Sequence, residues 1–97
     1  MKILIVGSGG REYALGNKIL EKNTDRELYF APGNGGTLNI GKNININVEE
    51  IDELLKFAKE ENIDYTIVGP EVPLCMGIVY KFEDENLKIF GPRYNAA

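Results

Sequence analysis

The sequence predicts an α/β fold, a Rossmann-like open parallel sheet of about five strands with helices on both faces. Three observations carry that expectation. Short apolar runs alternate along the chain with segments of helical period, the pattern of strands joined by right-handed crossovers. Four of these runs give way to loops rich in glycine or proline. The length of 97 residues leaves room for one domain over 1–97 and no second.

The elements follow in order. Lys2-Ile3-Leu4-Ile5-Val6 is a nearly continuous apolar run ending in Gly7, the form of a strand buried on both faces. Arg11 to Lys22 reads as a helix whose stripe is Leu15 and Ile19, widened by Ala14 and Leu20. Leu28-Tyr29-Phe30-Ala31 is a second strand, stopped by Pro32-Gly33-Asn34-Gly35-Gly36. Asn43 to Val48 alternates Asn with Ile or Val and predicts a short third strand. Glu49 to Glu61 is the clearest helix, with Ile51, Leu54, Leu55 and Ala58 on one face and acids at its start. Tyr65 to Val68 is a fourth strand ending at Gly69-Pro70. Cys75, Ile78, Val79 and Phe82 repeat the helical spacing, and Lys88-Ile89-Phe90 is a last strand before Gly91-Pro92.

In such a sheet, ligands bind beyond the carboxyl ends of the strands. Those ends are Gly7 to Gly10, Pro32 to Thr37, Gly69 to Glu71 and Gly91-Pro92. The unusual loops are therefore expected along one edge, which is where function belongs.

Composition narrows the chemistry. A net charge of −4 argues against nucleic acid, whose phosphate backbone calls for clustered Lys and Arg. Apolar stretches are too short to span a bilayer, and a strand pattern at Met1 predicts no signal peptide, so no membrane partner and a cytoplasmic location are expected. Cys75 is the only cysteine, which allows no internal disulfide, and its place in an apolar stripe suits packing. The chain has no histidine, which removes the commonest general base and the usual zinc ligand. No catalytic residue and no metal ligand is expected here; the domain binds and positions.

Each candidate has a bland reading beside the functional one. Gly7-Ser8-Gly9-Gly10 opens the first helix, where bare glycines let a phosphate approach backbone N–H groups; the alternative is a tight turn. Arg11 beside that loop is a phosphate partner or a solvated charge, and Glu12 a ligand contact or a helix-start carboxylate. Pro32, Gly33, Asn34 and Thr37 form a turn that also offers amides and a hydroxyl to a polar ligand. Pro70 and Glu71 follow the fourth strand, with Glu71 held between two prolines on a stiff loop as an acceptor for a hydroxyl or amine. A dinucleotide site fits less well. The third glycine of its fingerprint is replaced by Glu12, and the second strand ends in Ala31-Pro32 without a carboxylate for a ribose diol.

These segments together resemble the phosphoribosylamine–glycine ligase family. The resemblance is carried by Gly9-Gly10-Arg11-Glu12, Ala31-Pro32-Gly33-Asn34 with Gly36-Thr37, Ile67-Val68-Gly69-Pro70-Glu71 with Pro73-Leu74 and Gly77, and Ile89-Phe90-Gly91-Pro92 with Ala96-Ala97. It runs from end to end of the chain, and four segments in register are specific. One departure stands out: the family commonly has His after the Gly-Gly-Arg-Glu run, and this chain has Tyr13, which cannot become cationic near neutral pH.

The resemblance implies the leading domain of an ATP-grasp ligase. That family activates glycine as an acyl phosphate with ATP and Mg2+ (or Mn2+), and the amine of phosphoribosylamine attacks it. Gly9, Gly10 and Arg11 would face the ribose phosphate, with Asn34, Thr37 and Glu71 near the sugar. The ATP-grasp and C-terminal domains are absent from this chain, so neither ATP nor metal is expected to bind it tightly and the piece alone is expected to be inactive. The other reading is a free-standing module for a small ligand or nucleotide.

Overall fold

A computed structural model describes residues 1–91, with the side chain of Cys75 left aside. Pro92, Ala96 and Ala97 of the last motif, and the packing expected of the Cys75 side chain, lie outside the described residues. The strands are Lys2–Gly7 (β1), Glu27–Pro32 (β2), Lys42–Asn43 (β3), Tyr65–Val68 (β4) and Ile89–Phe90 (β5). The helices are Gly10–Lys22 (α1), Ile51–Glu60 (α2), Glu71–Cys75 (α3) and Ile78–Asp84 (α4). The strands form one parallel sheet in the order β3-β2-β1-β4-β5, the Rossmann-like arrangement expected.

Successive residues of β1 point to opposite faces and so build two cores. Leu4 and Val6 pack with Tyr29, Ala31 and Val68 under α2 and α4, through Ile51, Leu54, Ala58, Ile78 and Phe82. Ile3 and Ile5 pack with Leu28 and Phe30 on the other face, joined by Leu15 and Ile19 of α1. Gly16 sets how closely α1 approaches: a Cβ there would lie 2.7 Å from Phe30 Cζ. Ala14 is exposed and adds nothing to that stripe.

Two expectations need correction. The third strand is two residues long rather than six. Ile44 N still donates to Phe30 O at 2.7 Å, but Ile46 N then turns back onto Ile44 O at 2.7 Å. β2 runs out at Pro32, which has no N–H for a ladder, so Ile44, Ile46 and Val48 pack against the α2 core instead. The helix expected around Cys75 to Phe82 is two helices. Gly77, at φ 83°, breaks α3 from α4 in the left-handed region that glycine tolerates.

α2 and α4 end alike. Asn62 (φ 55°) and Asn86 (φ 60°) adopt the left-handed conformation; Ile63 N then donates to Ala58 O and Leu87 N to Phe82 O, each at 3.0 Å. This pairing satisfies the last carbonyls of both helices.

Candidate functional site

β1 lies at the centre of the sheet, and the chain leaves it in both directions, to β2 on one side and β4 on the other. That reversal opens a crevice at the carboxyl ends of β1 and β4, the usual ligand position in an open parallel sheet. Register places the loops there. Gly7 pairs with Pro32, Val6 pairs with Val68, Gly33 N donates to Gly7 O at 3.0 Å, and Gly69 N donates to Val6 O at 3.0 Å.

The first turn of α1 fills the crevice from one face. Arg11 is exposed, and its Nη2 donates to Gly69 O at 3.2 Å. Glu12 points inward and is only 7% exposed. A Cβ at Gly7 or Gly69 would fall on its carboxylate, and one at Gly9 would lie 3.2 Å from Oε2. The glycines that read as a phosphate loop thus also form the slot for a carboxylate. Gly10 differs, because a Cβ there would meet nothing within 4 Å. Arg11, Glu12 and Gly69 line a cavity of about 230 Å³ with Ile5, Leu15, Ile67 and Val68. That is smaller than the roughly 300–1,000 Å³ of a complete small-molecule pocket and suits a half-site.

The loop after β2 is fixed by Asn34. Its Nδ2 donates to Ser8 O at 2.8 Å, while its Oδ1 accepts from Gly36 N at 2.8 Å and Thr37 N at 3.0 Å. Thr37 is fully buried; its Oγ1 accepts from Asn34 N at 2.8 Å and donates to Asn43 Oδ1 at 2.6 Å. Asn43 Nδ2 in turn donates to Asn34 O at 2.8 Å. Direct contact with a sugar, expected of Thr37, is therefore closed to it: its hydroxyl is spent on the loop. Tyr13 packs beside this loop, since a Cβ at Gly36 would lie 3.2 Å from its ring.

On the β4 side, Glu71 is not on a loop between prolines as expected but is the first residue of α3, with Pro70 as the preceding cap. Pro73 fits inside that helix because first-turn N–H groups have no intrahelical partner. Glu71 remains exposed at the same edge.

The structure thus brings Gly9, Gly10, Arg11, Glu12, Pro32, Gly33, Asn34, Pro70 and Glu71 to one edge, with Thr37 behind them. Sequence reasoning missed Gly69 as part of the slot for Glu12, and Asn43 as the third member of the Asn34 network. Asn43 was hidden in an Asn-Ile alternation that looks the same whether the asparagines face solvent or a loop. Among the described residues, no three His, Cys, Asp or Glu side chains gather to hold a metal ion. No described helix is long and apolar enough to cross a membrane.

Comparison with known proteins agrees with this geometry. A family model described as "Phosphoribosylglycinamide synthetase, N domain" matches residues 1–97. The chain is 52% identical over 92 residues to phosphoribosylamine–glycine ligase of Clostridium acetobutylicum, covering 95% of this chain and 22% of that protein. It is 50% identical over 97 residues to the ligase of Caldanaerobacter subterraneus, covering all of this chain and 23% of that one. A crystal structure of the Thermotoga maritima ligase superposes with a TM-score of 0.64 at 29% identity, over 95% of this chain and 19% of that chain. The chain therefore spans under a quarter of the length of these relatives. With the sheet order, the edge loops and a match along its whole length in agreement, the chain belongs to the phosphoribosylglycinamide synthetase N-domain family.

Proposed function

We propose that this chain is the leading, substrate-side domain of a phosphoribosylamine–glycine ligase, which joins glycine to phosphoribosylamine in purine biosynthesis. The observation that carries the reading is the convergence of its motif loops at the β1–β4 crevice. Gly9 and Gly10 offer backbone at the N-terminus of α1, and Arg11 adds a cation beside them. A helix terminus contributes about 0.3–1 kcal/mol to an exposed anion, and a charged hydrogen bond about 1.5–3 kcal/mol. Those groups suit the ribose phosphate. Pro32, Gly33 and Asn34 shape the neighbouring wall, with Thr37 holding it from behind, and Glu71 offers an acceptor to the sugar.

These few contacts have to offset the immobilisation of the ligand. Affinity of the chain alone is then on the order of millimolar, about −4 kcal/mol. The remaining domains of a ligase of the relatives' length would close over the ligand and exclude water. In the cytoplasmic enzyme, ATP with Mg2+ or Mn2+ supplies the phosphoryl group that activates glycine. On this reading the domain binds and orients the amine substrate, and nucleotide chemistry belongs to the rest of the enzyme.

The test is direct. Given glycine, phosphoribosylamine, ATP and Mg2+, the 97-residue chain forms no ADP above background, and a protein continued to the relatives' length does. ADP release by the short chain that depends on both substrates contradicts the assignment of catalysis to the other domains.

A further inference from the structure

Glu12 is the one acid among the described residues that is nine-tenths buried, at 7% exposure. Its carboxylate makes no hydrogen bond to any described residue. No side-chain oxygen among the described residues is sealed off without a partner, so the Glu12 oxygens stay open to the cavity, where donors from water or a ligand can meet them. Its setting identifies where such a ligand would lie. The carboxylate rests against Gly7 and Gly69, the last residue of β1 and the first after β4, at the point where the sheet reverses direction. It also lines the cavity of about 230 Å³ together with the exposed Arg11.

A negative group already occupies the inner side of the glycine loop. A phosphate there would meet like charge, while N–H and O–H donors would meet an unmatched acceptor. On the outer side, Gly10 faces open space next to exposed Arg11. The two sides of one loop thus differ in sign.

We propose that Glu12 is the acceptor for sugar hydroxyl or amine donors in the β1–β4 crevice, and that it keeps phosphate on the outer, Gly10–Arg11 side. The inference rests on the reading of this edge as a sugar-phosphate site and deepens it into an orientation: donor groups inward, phosphate outward. Gly7 and Gly69 are then glycines because Glu12 occupies the space of their side chains.

The experiment follows the side-chain carboxyl carbon of Glu12 by 13C NMR in the 97-residue chain, with D-ribose, ribose 5-phosphate and inorganic phosphate as separate probes. Both sugars shift that resonance, and inorganic phosphate shifts the Gly10 and Arg11 amides without moving it. In Glu12→Gln, which keeps the shape, ribose 5-phosphate binds at least tenfold more weakly while inorganic phosphate binds as well or better. The wild-type carbon resonance decides the matter even where the variant fails to fold. Sugars that shift residues 33–37 and Glu71 but leave the Glu12 carboxyl unmoved overturn this inference and spare the broader assignment. Sugars that shift nothing along this edge overturn both.

Discussion

Asn34 Nδ2 donates to Ser8 O at 2.8 Å, and this one bond ties the loop after β2 to the loop after β1. The same side chain accepts from Gly36 N and Thr37 N, so its amide is used at both ends.

Asn34→Ala removes these three bonds, together with a longer one from Nδ2 to Gly9 O at 3.4 Å, and leaves the Gly36 and Thr37 amides without their acceptor. Net loss per bond is about 0.5–1.5 kcal/mol, so the variant is expected to be about 1.5–4 kcal/mol less stable by urea unfolding. Asn34→Asp keeps the acceptor and sets a carboxylate against Ser8 O; it should lie between wild type and Ala. Equal stability of all three proteins contradicts the tie.

The glycines around Glu12 and the start of α1 separate into two kinds. Gly69→Ala and Gly7→Ala push into the Glu12 carboxylate, and Gly7 also sits at φ 142°. Each should cost about 1–3 kcal/mol through overpacking, with added backbone strain at Gly7. Gly10→Ala meets nothing within 4 Å and sits at the start of a helix. It should stabilise by about 0.4–1 kcal/mol, since alanine has less freedom to lose on folding. Thermal unfolding of the three variants side by side checks the order.

Much of the fold was legible because the strands announce themselves. The apolar run at Lys2 to Val6 and the run at Tyr65 to Val68 fall on β1 and β4, since strands flanked on both faces need continuous apolar sequence. What escaped was decided by partners far away in sequence. The alternating stretch at Asn43 to Val48 makes no ladder bond beyond the one from Ile44 N to Phe30 O because β2 ends in Pro32. Gly77 reads equally as a helix interior or a break until its φ is known. At the site, glycine loops and Arg11 were recognisable as edge features. The slot for Glu12 was not, because it joins Gly7 to Gly69 across 62 positions of sequence. Nor was the burial of Thr37, which depends on Asn43 folding back beneath it.

Tyr29 predicts a pH effect. Burial pushes its phenol above the ordinary tyrosine value, its hydrogen bond to Glu27 Oε2 at 3.2 Å acts in the same sense, and Lys2 pulls the other way. The folded protein therefore holds this proton more tightly than the unfolded chain does. The associated stability is complete below about pH 10, the unfolded value, and is lost as pH rises from there through the raised folded value. Tyr29→Phe should flatten the alkaline fall relative to wild type. Parallel curves for the two proteins between about pH 9 and 11 would contradict the shift.

The central claim is that the carboxyl edge of this sheet is the sugar-phosphate side of a ligase. It is tested most directly by titrating the 97-residue chain with ribose 5-phosphate and mapping amide shifts. The expected result is weak, saturable binding on the order of millimolar. Perturbations should be confined to residues 7–12, 33–37 and 69–71, and Arg11→Ala should weaken the binding. Shifts gathered at the opposite edge, around Asp25 to Glu27 and Asn62 to Asp64, or a titration unchanged in Arg11→Ala, would contradict the account.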